Sequence, residues 1–317
     1  MMNVLRNLKN TKKEQEFMGK VLVTGGHGLV GSILEADVKV GREFDLRIPE
    51  ESNRLIETYK PTHVIHCAAK VGGIGGNISA MGEYFYDNLM INTNIIESCR
   101  LNNVEKLVVF LSTCIFPADV EYPLTEDKIH LGPPHETNYG YGYSKRMAEV
   151  QIRSYNQQYG TKYFAVIPCN MYGLNDNYNL ENTHVIPALI HKVYLAKINN
   201  TNLHVWGSGN PLREFIYAKD VANIIKLLMD KYNRTSPIIL STSNEVSIRE
   251  VVEMICDIMD FKNKVIFDTS KPDGQFKKPS DNSYLKSIIG DYEFTTLRVG
   301  LEETIKHFIK NYNTIRL

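Results

Sequence analysis

Tyr141 and Lys145 stand four positions apart in the stretch Tyr141-Gly142-Tyr143-Ser144-Lys145. On a helix this spacing puts both side chains on one face. An ammonium beside a phenol favours the phenolate and draws a tyrosine pKa of about 10 toward neutrality. A tyrosine tuned in this way is a general acid or base for a carbonyl. The same two residues could also form a solvated pair on a surface helix. The pair gains weight from a glycine-rich turn upstream and from an apolar run that ends in Ser112.

The first element needed to position such a pair is the apolar run Val21-Leu22-Val23-Thr24, followed by Gly25-Gly26-His27-Gly28-Leu29-Val30-Gly31. This reads as a strand entering a glycine turn that opens a helix, with Gly25, Gly28 and Gly31 permitting a tight turn and close approach of a pyrophosphate. The spacing Gly-x-x-Gly-x-x-Gly differs from the commoner Gly-x-Gly-x-x-Gly. A ribose-binding acid is expected about 20 residues beyond such a turn, but Asp45 comes only 14 positions after Gly31. The first crossover must therefore be abbreviated. Lys39 and Arg42 lie in it, and a cation there suits a 2′-phosphate, so NADP is expected rather than NAD, with Arg42 the better candidate.

Further strands follow. Thr62 to Ala69 reads as a buried strand ending in Ala68 and Ala69, small enough to let a cofactor pass, and the loop Gly72-Gly73-Ile74-Gly75-Gly76 comes next. Gly82 to Leu101 carries apolar residues at helical spacing. Leu107-Val108-Val109-Phe110-Leu111 is continuously apolar, as in a central parallel strand covered on both faces, and delivers Ser112-Thr113-Cys114 at its carboxyl end, the edge where ligands bind in open α/β sheets. Phe164 to Pro168 is another strand, leading to Asn170. Beyond it, His184-Val185-Ile186-Pro187 opens a helix, Leu203 to Trp206 is a strand, Asp220 is placed to cap a helix, and Ser247 to Glu250 has capping-box form. The expected fold is α/β: a Rossmann-type doubly wound parallel sheet with a smaller, partly interleaved α/β lobe. Residues 1–17 read as a flexible extension, 18–170 as the dinucleotide-binding domain, and 171–317 as mainly the substrate lobe, with segments returning to the core.

The 317 residues are 43% hydrophobic and 23% charged, enough for a substantial core. Lys plus Arg and Asp plus Glu balance at 36 each, which removes any global electrostatic case for nucleic acid or an anionic membrane. No apolar run approaches the ~20 residues that span a bilayer. Cys67, Cys99, Cys114, Cys169 and Cys256 are odd in number, without Cys-x-x-Cys pairs; this suits reduced thiols in a cytoplasmic-type compartment and no metal site.

Thr24 to Gly31, Ser112-Thr113-Cys114 and Tyr141 to Lys145 together resemble the extended short-chain dehydrogenase/reductases. Lys70-Val71-Gly72-Gly73-Ile74, Ser112 to Pro117, His184 to Ile190, Trp206-Gly207-Ser208-Gly209 and Lys271-Pro272-Asp273-Gly274 are similar, within them, to the GDP-L-fucose synthase family, the GDP-4-keto-6-deoxymannose 3,5-epimerase/4-reductases. The similarity runs from Lys20 to the end and departs at the amino-terminal segment and the short stretch after Gly31. It implies an NADPH-dependent enzyme acting on a GDP-linked 4-keto-6-deoxy sugar. Ser112, Tyr141 and Lys145 would form the reductase site, and Cys114 with His184 the epimerisation pair, a nearby imidazolium stabilising the Cys114 thiolate. The implied cofactor set is Gly25, Gly28, Leu29, Val30, Gly31, Arg42, Asp45, Leu46, Ala68, Ala69, Tyr141, Lys145, Pro168, Asn170 and His184. Asn170, Lys192, Trp206, Arg213 and Lys278 would take the substrate, Lys192 and Arg213 at the diphosphate and Trp206 at the base. A homodimer pairing the helices from about Gly82 and Tyr141 is also implied. Without the resemblance, Cys114 reads as an inert buried thiol, His184 as a helix-start histidine, and the cations as solvated charges. A 4-epimerase or 4,6-dehydratase that keeps NAD bound would share Ser112, Tyr141 and Lys145, and a dinucleotide-sensing regulatory protein would share the glycine turn.

Overall fold

A computed structural model describes residues 19–271 and 273–316. The amino-terminal segment 1–17 lies outside the described residues. Among them, six parallel strands form one sheet in the order β2-β1-β3-β4-β5-β9, with β1 Val21–Thr24, β2 Val38–Val40, β3 His63–His66, β4 Lys106–Phe110, β5 Tyr163–Pro168 and β9 Ile238–Leu240. The order reverses between β1 and β3, which opens a crevice at their carboxyl ends.

Alternation along the strands separates two apolar layers. Leu22, Val64, Leu107, Val109, Ala165 and Ile167 face residues of α1 Pro49–Tyr59, α3 Met81–Leu101 and α4 Tyr139–Tyr159. Val23, Ile65, Val108, Phe110, Phe164 and Val166 face α6 Ala218–Lys231 and α8 Ser283–Ile289. Every residue of β4 and β5 is buried, which is why, apart from Lys106 at the start of β4, their sequences show no polar face. Each such Leu, Ile or Val is worth roughly 1.5–3 kcal/mol of burial.

A third apolar cluster lies in the carboxyl-terminal half, between α5 Val185–Ile198, α7 Ile248–Ile258 and α9 Leu297–Asn311. Two small sheets accompany it: β10 Glu245–Ser247, β8 Leu212–Tyr217 and β6 Asn170–Tyr172 in one, β11 Val265–Asp268 beside β7 Leu203–Trp206 in the other. β9 and α6 return to the main sheet. The short helix α2 Ile74–Ser79 precedes α3.

Local signals explain most boundaries. Gly160 ends α4 in the left-handed region, φ 69°, its N–H donating to Asn156 O. Ser247 and Glu250 form the expected capping box of α7. Two expectations are corrected. The glycine turn does not open a regular helix: residues 25–34 are successive turns, with Ser32 N–H donating to Gly28 O and Leu34 N–H to Val30 O at 3.0 and 3.2 Å. So few residues lie between the glycines and β2 that a full crossover helix has no room. Asp220 does not cap α6 but sits within its first turn, accepting from Thr295 N–H and Oγ1 at 2.8 and 3.0 Å.

Candidate active site

The crevice begins at the glycine turn. Gly25 has φ +65°, and a Cβ there would lie 2.8 Å from Ala68 N; a Cβ at Gly31 would lie 2.3 Å from Gly25 O. A side chain at Gly25 would push the turn away from the end of β3, and one at Gly31 would force the turn itself open. Among the described residues, the backbone N–H groups of Leu29, Val30 and Gly31 donate to no protein acceptor. Consecutive free N–H groups form a concavity suited to an anion, so the turn fits a dinucleotide pyrophosphate even without the expected helix.

Beyond β2, Lys39 Nζ donates to Ser32 O at 2.8 Å, whereas Arg42 is exposed with no partner among the described residues. Leu46 is buried. Asp45 is already engaged, accepting from Arg47 Nε at 2.9 Å and Nη2 at 2.7 Å; these bonds hold its carboxyl below the usual range. Of this stretch, Arg42 offers the free charge.

Ser112 leaves β4 and starts a single tight helical turn, Thr113–Ile115; its hydroxyl accepts from Cys114 N–H at 3.3 Å. Helix α4 packs directly over this turn. A Cβ on Gly142 would lie 2.6 Å from Cys114 O and one on Gly140 2.7 Å from Met81 O; the alternation of glycine with tyrosine from residue 139 is thus a packing requirement. Arg146, one turn further, donates to Ile115 O from Nε at 2.9 Å and to Gly132 O from Nη1 at 2.8 Å. The helix carrying Tyr141 and the turn carrying Cys114 are held as one unit.

Lys145 is buried and donates to Phe110 O at 2.9 Å. Burial pushes its pKa down to about 8. Tyr141 moves opposite to expectation: burial, with the Cys114 thiol and Tyr84 phenol beside it, pushes its pKa up. Desolvation at the packed helix is the largest cause, and Lys145 directs its ammonium to Phe110 O. The protein alone thus holds Tyr141 as a neutral phenol, a proton donor.

His184 stands at the start of α5, and burial lowers its pKa. The neutral imidazole is favoured, so the expected imidazolium beside Cys114 is corrected. Arg213 on β8 lies within electrostatic reach of Cys114; burial pushes the guanidinium's pKa down, and Cys114 opposes that push. Arg213 Nη1 also donates to Leu212 O at 2.7 Å. Lys192, on α5, holds its ammonium 5.3 Å from the Trp206 ring centroid, and Lys271 approaches the same ring at 5.6 Å. Trp206 is 62% exposed at the end of β7, which settles it as a surface aromatic rather than a core one. Lys278 is half-buried with no partner among the described residues. Asn170, the first residue of β6, donates from Nδ2 to Glu214 O at 2.8 Å. Ala68 and Ala69 follow β3 on the crevice side, Ala68 N–H pointing to Thr24 Oγ1 at 3.4 Å.

The NAD dependent epimerase/dehydratase family model matches residues 21–240. The chain belongs to that family. It is 47% identical to the GDP-L-fucose synthase of Dictyostelium discoideum over 93% of this chain and 97% of that one. It is 33% identical to the GDP-L-fucose synthase of Escherichia coli, over 94% and 98%. Its fold is similar to a GDP-L-fucose synthetase from Naegleria fowleri bound to NADP, with TM-score 0.88, 40% identity and 94% of each chain covered.

Within this family frame, sequence reasoning missed three residues around the site. Arg146 looks like an ordinary helical cation, but its burial is visible only once the turn after Ser112 is in place. Tyr84 lies against the glycine loop, where a Cβ on Gly72 would come 2.3 Å from its hydroxyl; the signal was the cluster of glycines opposite an aromatic. Glu214 is a fully buried carboxylate beside Arg213, with no local sequence signal.

Proposed function

We propose that this protein converts GDP-4-keto-6-deoxy-D-mannose to GDP-L-fucose, epimerising C3 and C5 and reducing the C4 ketone with NADPH. The observation that carries the reading is 47% and 33% identity to GDP-L-fucose synthases over more than nine-tenths of each chain, combined with Ser112, Cys114 and Tyr141 gathered by one helix-on-turn contact. Protons at C3 and C5 are acidified by the C4 ketone. Cys114 as thiolate takes a proton from carbon, leaving an enolate whose charge rests on the C4 oxygen. His184, presented at the start of α5 and neutral at rest, takes up a proton from solvent and returns it from the other face, and Cys114 releases its proton to solvent before the second carbon is turned over. Ser112 donates a hydrogen bond to the C4 oxygen throughout, and Tyr141 delivers its proton there at the reduction step. Lys145 holds the nicotinamide ribose and recharges Tyr141.

NADPH supplies the hydride when bound. The free amides of Leu29, Val30 and Gly31 would hold its pyrophosphate and Arg42 its 2′-phosphate, with Asp45, Leu46, Ala68, Ala69, Pro168, Asn170 and His184 completing the site. Lys192, Arg213 and Lys278 meet the diphosphate of the substrate, Trp206 its base, and Asn170 its sugar.

The division of labour is tested by two variants. Tyr141→Phe is expected to lose reduction by about 10²–10⁴-fold, the range for a positioned general acid, while still exchanging solvent deuterium into C3 and C5. Cys114→Ser is expected to stop that exchange, because a serine hydroxyl is not ionised near pH 7, while still consuming NADPH to give an unepimerised sugar. Exchange at the wild-type rate in Cys114→Ser would remove Cys114 as the base.

We further propose a cytoplasmic homodimer formed through α3 and α4. Phe85, Tyr86, Tyr139 and Val150 on these helices are exposed large hydrophobics, Tyr86 at 58%, a grouping that a partner would cover.

A further inference from the structure

Glu214 is 2% exposed, on the middle strand of the β10-β8-β6 sheet. Its side chain leaves β8 on the face opposite that of Arg213. The carboxylate is satisfied by three donors from two distant segments: Ser280 N–H at 3.1 Å on Oε1, Ser241 Oγ at 2.8 Å on Oε2, and Ser280 Oγ, also on Oε2. Its backbone carbonyl accepts Asn170 Nδ2 at 2.8 Å. Ser241 directly follows β9, the last strand of the main sheet.

The segment around Ser280 is gripped from other sides as well. Ser243 Oγ donates to Ser280 O at 3.0 Å, Asn282 Nδ2 donates to Ser241 O at 2.9 Å, and Leu124 N–H donates to Pro279 O at 2.8 Å. Two residues before Ser280 stands Lys278, half-buried and without a protein partner among the described residues. Two residues of chain span at most ~7 Å, so the place of Ser280 fixes that of Lys278.

We propose that Glu214 is a positioning residue for nucleotide binding: its buried carboxylate and carbonyl lock Arg213, Lys278 and Asn170, from three separate segments, into one substrate-gripping set. The inference rests on the reading of Arg213 and Lys278 as nucleotide ligands. A buried carboxylate is costly unless its lone pairs are filled. Here the donors fill them and oppose the upward push of burial on its pKa. Leu or Val at this position could collect none of the three donors and would leave them unpaired. The carboxylate therefore confers placement of the Lys278 segment, not merely burial.

The test is the affinity of the full chain for GDP and, separately, for NADPH, measured by titration calorimetry in wild type, Glu214→Gln, Arg213→Ala and Lys278→Ala. Glutamine keeps the volume but presents one acceptor and one donor where the Ser280 N–H and two hydroxyls converge. Weakening of GDP binding on the order of tenfold is expected for Glu214→Gln, the loss of a charge-assisted buried hydrogen bond. NADPH affinity should be unchanged, and KM for the nucleotide sugar should rise by more than kcat falls. Unchanged GDP affinity, or equal weakening of GDP and NADPH as in general loosening, would overturn the proposal. If Arg213→Ala and Lys278→Ala leave GDP binding intact, the nucleotide reading itself fails and the inference falls with it. If they weaken GDP while Glu214→Gln does not, the inference alone fails. Should Glu214→Gln not fold, Ser280→Ala decides. It removes one hydroxyl from the clamp without burying a new polar group, and a selective loss of GDP affinity supports the proposal while no loss overturns it.

Discussion

Lys145 shows how far burial can reshape a residue whose role looks obvious from spacing. Its folded-state pKa of about 8 lies below the value of about 10.4 for an unfolded lysine. Between those values the unfolded chain binds the extra proton, so stability rises with pH across that window. Below pH 8 both states are charged, and the penalty for burying the ammonium is fully present. The stability of wild type relative to Lys145→Met is therefore expected to move in favour of wild type by on the order of 2–3 kcal/mol from pH 7 to above pH 10. The methionine variant leaves Phe110 O unpaired at every pH, so that loss is a constant offset. Denaturant titrations across the range check this, and a flat difference would mean that Lys145 is not desolvated. The same burial argument reverses the expected shift of Tyr141: one-dimensional spacing reveals the neighbour but not the packing that removes water from both.

At the scale of elements, the contact between α4 and the turn after β4 is what brings Ser112, Cys114 and Tyr141 together. Gly142→Ala measures it. Alanine is about 1 kcal/mol better than glycine in a helix interior, so propensity alone forecasts stabilisation. The added Cβ, however, would lie 2.6 Å from the Cys114 carbonyl, a backbone atom that cannot swing aside. Overlap is expected to win. The helix should shift and turnover should fall by about 10²-fold, the scale of a misplacement near 1 Å, with helical content retained. Full activity in Gly142→Ala would show that the contact is not needed.

The elements themselves were largely legible. Continuous apolar runs marked β4 and β5 because both of their faces are covered, and Ser247 with Glu250 marked α7 because capping is local. The missing helix after Gly31 was legible only as a shortage of residues. Glu214, Arg146 and the return of β9 to the main sheet were not legible, since their partners lie far along the chain and no local pattern encodes them. Among the site residues, Trp206 and Lys192 come together as a cation over a ring, whereas the engagement of Asp45 by Arg47 depended on rotamers that the sequence does not specify.

On the scale of the whole molecule, the proposed function takes the cofactor site from the main sheet and the nucleotide ligands from the carboxyl-terminal half, while exposed apolar positions of α3 and α4 remain on the outside. Tyr86→Glu is expected to convert a homodimer into a monomer in sedimentation at micromolar concentration, because a carboxylate at the centre of an apolar interface would be buried unpaired. A monomeric wild type would contradict the proposed dimer. The central claim, that one site epimerises two carbons and reduces a third, is tested most directly by the product itself. Wild-type protein, NADPH and GDP-4-keto-6-deoxy-D-mannose are combined in deuterium oxide, and the ring stereochemistry and isotope content are read by NMR. The account predicts GDP-L-fucose carrying deuterium at C3 and C5, with one NADPH consumed per product. An unepimerised 6-deoxy sugar nucleotide, or a 4-epimer formed without net NADPH consumption, would contradict it.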